Sequence, residues 1–138
     1  MTEPTFDQLL ETHTALVACG MPPLPNCVWD LTGPLGRRLQ LVDSQHHQHM
    51  VIDNQLGADM LTQHATRWFM THDWNEAPGT CSRIEFSDDH PHGHELKHPV
   101  WQAYMWYKPH KRYLHGYGTG PTQLAAIVAA ATALEKLQ

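Results

Sequence analysis

The chain has 138 residues, 41% of them hydrophobic, and a net charge of −5 with histidine neutral. That length suits a single domain over 1–138, large enough to bury a core without disulfide or metal staples. The acidic balance argues against a partner held by attraction to phosphate, so nucleic acid is not the expected ligand.

The first expected element is a helix. "TFDQ" at 5–8 has the form of a capping box, and Phe6, Leu9, Leu10, His13, Leu16 and Val17 fall on one stripe. Gly20 supplies a left-handed stop, and "PPLPN" at 22–26 is a stiff extended connector. "CVWDL" and "RRLQLV" flank "TGPLG" and predict two short strands around a turn. "DSQHHQH" reads as a polar loop. A second helix starts at Asp53 or Asn54, with Asp53 as its cap. Its buried face holds Leu56, Met60, Leu61, His64, Ala65, Trp68 and Phe69, and "NEAPG" at 75–79 ends it.

"CSRIEFS" at 81–87 alternates, with Ile84 and Phe86 on one side and Arg83 and Glu85 on the other, as in a half-buried strand. "VWQAYMWYK" at 100–108 is apolar or aromatic on both faces, which places it centrally in a sheet. "PHK" turns the chain and "RYLHGYG" returns as a hairpin partner. Pro121 opens the last helix at its first position, and Leu124, Ile127, Val128, Ala131 and Leu134 pack it on the sheet. The expected class is α+β: an antiparallel sheet of three to five strands covered by helices, in a three-layer α/β/α-like sandwich. Whether residues 27–49 join the main sheet or form a separate flap is left open.

"HPHGHELKH" at 90–98 is the one stretch with a ligand inventory. On a strand His90, His92 and His94 project to one side, His98 lies close by, and together they offer nitrogen ligands for zinc. Pro91 and Gly93 interrupt the run, however, and no familiar zinc spacing is present. His46, His47 and His49 repeat the habit elsewhere, so a solvated loop is the simpler reading. Cys19, Cys27 and Cys81 make an odd count without C-x-x-C, which suits a reducing compartment rather than a disulfide framework. Cys81 has no base or orienting group in the sequence and reads as a small hydrophobe. "GYGTG" at 116–120 lacks a basic residue and reads as a tight strand-to-helix turn. The five tryptophans read chiefly as core, with one or two left for a partner. The basic cluster is Lys108, His110, Lys111 and Arg112, on a hairpin turn.

"WQAYMWY" followed by "GYGTGPTQLAAIVAAATALEKL" is an aromatic strand, a turn and a Thr-led alanine-rich helix. It resembles the end of the small phage proteins with the helix–sheet–helix phage ABA sandwich domain. Residues 53–74 resemble that family's middle helix, while 27–49 and the histidine loop depart from it. The resemblance implies a phage or prophage origin and a three-layer fold, with no catalysis and no ligand. "AAATALEKL" at 129–137 is also similar to the last helix of double-stranded-RNA-binding domains. That family's phosphate-gripping lysine run reads Thr122, Gln123, Leu124, Ala125 and Ala126 here, so only the close packing of small residues is shared.

The leading expectation is a small phage-type accessory protein that binds a host protein, a defence or regulatory component among the options. Its contacts are Lys108, His110, Lys111 and Arg112, and the loop at 88–98. The motifs lean against an enzyme. Two alternatives stand beside it: a metal-binding protein using His90, His92, His94 and His98, with zinc as cofactor, and a nucleic-acid-binding module using exposed tryptophans. No signal peptide and no apolar membrane span is visible, so the expected location is the cytoplasm, that of the host if phage-encoded. The oligomeric state is open, a homodimer included.

Overall fold

The computed structural model describes residues 4–31, 38–42, 49–71, 80–89, 95–107 and 110–136. The class is α+β: among the described residues there are three helices and six strands, the strands forming two antiparallel sheets of three. By contact density the chain divides into two compact units, Met1–His64 and Ala65–Gln138.

The first unit opens with helix α1, Phe6–Ala18. Its capping box is present: Gln8 N–H donates to Thr5 Oγ1 at 3.1 Å, and Thr5 N–H donates to Gln8 Oε1 at 2.9 Å. The stop is a Schellman turn around Gly20, whose φ is 108°. Met21 N–H donates to Leu16 O and Gly20 N–H to Val17 O, both at 3.0 Å. Met21 and Leu16 are both buried, the apolar contact that accompanies this motif.

Strands β1 (Cys27–Asp30), β2 (Arg38–Val42) and β3 (His49–Ile52) form the first sheet in sequence order. Strands β1, β2 and β3 thus form a meander of their own rather than joining the second sheet. Trp29, Leu39 and Ile52 stand opposite one another across the three strands. Phe6, Leu39 and Ile52 form one cluster of the core, with Leu10, Cys27, Trp29 and Met60 packed against it. Helix α2, Asn54–Thr71, starts as expected: Leu56 N–H donates to Asp53 Oδ1 at 2.7 Å. Its Gly57 lies close on the sheet, since a Cβ there would sit 3.1 Å from Leu39 Cδ2. Leu61, Ala65, Trp68 and Phe69 are buried as expected, but Leu56 is 49% exposed. It belongs to the first turn and lies off the stripe set by the later residues.

Two histidines hold the proline-rich connector. Leu24 N–H donates to His13 Nε2 at 3.1 Å, and His64 Nε2 donates to Pro22 O at 2.8 Å. His13 is buried and packs on Trp29 with centroids 4.9 Å apart. Burial, and then the nearby His64, push its pKa below the ordinary 6.5. Nε2 must stay unprotonated to accept the Leu24 amide. The unfolded chain therefore binds this proton more readily, and His13 adds stability above pH 6.5 that is lost as pH falls toward its folded-state pKa. Urea unfolding at about pH 7.5 and about pH 5.5 should show a stability loss in acid that is smaller in His13→Leu. Equal losses in both proteins would discard this account.

The second unit contains the C-terminal part of α2 from Ala65, the sheet of β4 (Thr80–Asp89), β5 (Glu95–Tyr107) and β6 (His110–Gly120), then helix α3 (Gln123–Lys136). β5 is central, as its apolar run predicts. Thr122 caps α3 through an Ala125 N–H···Oγ1 bond of 3.1 Å. Pro121 thus stands before the cap rather than at the first helical position. α3 lies over β6 and β5 and barely reaches β4. Gly118 and Gly120 make that approach possible. A Cβ on Gly118 would stand 2.6 Å from Ala129 Cβ, and one on Gly120 2.6 Å from Ala125 Cβ.

Candidate functional site

A helix is about 10 Å wide and strands lie about 4.8 Å apart, so one helix covers about two strands. With α3 seated over β5 and β6, the β4 side of that sheet face is left without it. The register fixes what stands there: Phe86 pairs with Trp101, which pairs with Gly120, and Ile84 pairs with Ala103, which pairs with Gly118. Phe86 is 59% exposed and its ring lies 5.5 Å from that of Trp101. Ile84 and Trp101 are half-buried. The alternation of β4 was readable, but its apolar side is not a buried side. The cue lay downstream, in the glycines and alanines that draw α3 onto the other two strands.

The opposite face carries a polar network. Gln102 is fully buried, and its Nε2 donates to Ser87 O at 3.0 Å and Asp89 O at 3.1 Å. Its Oε1 accepts from the Tyr117 hydroxyl at 2.8 Å. These bonds tie down the β4 irregularity between Ser87 and Asp89. Tyr104 donates to Glu85 Oε1 at 3.1 Å and also hydrogen-bonds Arg83. Burial pushes the Tyr104 phenol up; Arg83 pulls it down and Glu85 adds to the rise. Burial and Glu85 push Tyr117 up as well. Both hydroxyls are neutral donors near pH 7, the reverse of what an activated phenolate requires. The network is built to hold β4 in place.

The other titratable candidates divide as follows. His90, His92, His94 and Lys108 lie outside the described residues. The pairing of β4 with β5 reaches Asp89 and Glu95. His98 is exposed on β5. His110, Lys111 and Arg112 lie on β6, where the backbone alone is described. Among the described residues no three of His, Cys, Asp and Glu gather in a way that could hold a metal. Cys19 and Cys27 are thiols outside any disulfide, and burial pushes Cys27 up, away from thiolate chemistry. Of the tryptophans, Trp68 is buried, Trp29 packs on the first core, and Trp101 borders the exposed site. Trp74 lies outside the described residues.

Close to Phe86 in sequence and pairing, the end of β4 and the start of β5 carry Asp88, Asp89 and Glu95 against Lys97. The aromatic pair thus has acidic neighbours along two paired strands. Among the described residues no helix is long and apolar enough to cross a membrane. No protein-family model, no curated protein and no solved structure matches the chain.

Proposed function

We propose that this chain is a small, non-catalytic protein-binding module of the phage-accessory kind, whose partner is a host protein such as a defence or regulatory component. The observation that carries the reading is Phe86, 59% exposed and braced by Trp101. An aromatic side chain held outward on a strand is the type of anchor that dominates protein interfaces. The acids around it repel phosphate, which favours a protein partner over nucleic acid. The complementary surface is an apolar pocket with a basic rim. Lys108, together with His110, Lys111 and Arg112 on β6, enters as a second contact. The resemblance to phage ABA sandwich proteins supports the origin assumed here.

The test is capture from bacterial lysates, followed by titration of the purified partner. Phe86→Ala should weaken binding about 30-fold, the cost of removing an anchor worth about 2 kcal/mol. Phe86 is exposed, so the variant keeps its fold. Absence of a stoichiometric partner in several hosts, or a partner indifferent to Phe86→Ala, defeats the proposal. So does binding to single-stranded nucleic acid that falls steeply with salt.

A further inference from the structure

β4 pairs with β5 on one side, and among the described residues no strand lies along its other side. Such an edge presents a row of backbone donors and acceptors that fits a further strand. Three features of β4 select the strand that fits.

The first is the length of regular pairing. β4 matches β5 without a break from Thr80 to Ser87, and the register shifts between Ser87 and Asp89. An antiparallel copy of β4 turned about Ile84 sets Cys81 against Ser87, Ser82 against Phe86 and Arg83 against Glu85. That match uses regular strand throughout and ends where the shift begins. The second is charge. In this register each Arg83 faces the Glu85 of the other copy, twice over by symmetry, and opposite charges directly across a pair of strands attract. The third is the exclusion of the neighbouring registers. An axis at Arg83 opposes two guanidinium groups, and an axis at Glu85 opposes two carboxylates. An axis at Phe86 sets Arg83 against Asp89 across the irregular segment.

We infer that two copies of this chain pair edge to edge through β4, antiparallel about a two-fold axis at Ile84, joining two three-stranded sheets into one of six strands. Such a contact is self-complementary and closes at two copies. It uses the strand edge rather than the sheet face. Phe86 stands across from the small Ser82, and both copies' Phe86–Trp101 pairs come onto one continuous surface. The inference does not depend on the host-partner reading, since a monomer could bind through Phe86 and a dimer could form without a host protein.

Native mass spectrometry and light scattering of the full chain, from about 1 to 100 µM, should show monomer and dimer and nothing larger. R83E and E85R should each weaken dimerisation by about tenfold or more, because each sets like charges together at both positions. An equimolar mixture of R83E and E85R restores both attractive pairs and should yield a heterodimer, recognised by its mass, with the wild-type affinity. Circular dichroism reports whether each variant is folded. If E85R does not fold, I84K serves instead, since it sets two ammonium groups on the axis and should abolish the dimer. The inference is overturned by a wild-type chain that stays monomeric or by an open series of larger species. Single reversals or I84K that leave the dimer unchanged, or folded variants that form no heterodimer, overturn it as well.

Discussion

Gly118→Ala is expected to cost the second unit about 3 kcal/mol and lower its thermal midpoint by roughly 20 °C. The added methyl meets the Ala130 amide nitrogen, the Ala129 carbonyl carbon and, at 2.6 Å, the Ala129 Cβ. Two of these are backbone atoms of α3, which cannot rotate out of the way as a side chain can. The helix must lift from β6 along its length, and the buried Ala126, Ile127, Ala130 and Ala131 lose contact together. Against a total stability of about 5–15 kcal/mol, that is a large share. Gly118→Val should leave the second unit unfolded. Differential scanning calorimetry reads both, and an alanine variant within a degree of wild type would mean that α3 does not sit as close as described.

Gln102→Leu should be nearly as costly, at about 3 kcal/mol, although it keeps the volume of the side chain. The loss is polar. Ser87 O and Asp89 O lose the amide donor, and the Tyr117 hydroxyl loses its acceptor. Buried groups left in this way cost about 1–3 kcal/mol each, and partial rescue by water keeps the sum at the lower end. Tyr117→Phe removes one of the three bonds and should cost about 1 kcal/mol. Urea unfolding of the two variants tests the ordering. If the leucine variant is as stable as wild type, the network does not hold the β4 irregularity.

These two positions show what the sequence made legible. The α1 capping box, the Gly20 stop and the Asp53 cap are local: each needs residues within a few positions, and the structure has all three. The central place of β5 was readable because a strand apolar on both faces has to be covered on both. β3 was not readable, since His49–Ile52 is four residues long and emerges from a histidine run that looks like loop. Pro121 drew attention from the next residue, Thr122, whose hydroxyl does the capping. Phe86 needed knowledge of which strands α3 covers, and that depends on glycines more than thirty residues later. Gln102 had a visible sign, one amide in the run "VWQAYMWY". A lone polar residue in a strand that must be buried is a demand for partners, here met by carbonyls of β4 and a β6 tyrosine. For the histidine run and the basic turn, Lys108, His90, His92 and His94 lie outside the described residues, and their roles rest on the sequence.

Each sheet is a meander in which every strand pairs only with its immediate predecessor or successor. That pattern has a kinetic consequence. Contacts close short loops, so little chain entropy is lost before the first pairing brings a return. β4, β5 and β6 can zip as successive hairpins, and α3, the next segment to emerge, packs on the two strands made last. Synthesis from the N-terminus delivers the pieces in the order in which they pair, so that each half can form on the ribosome without waiting for distant sequence.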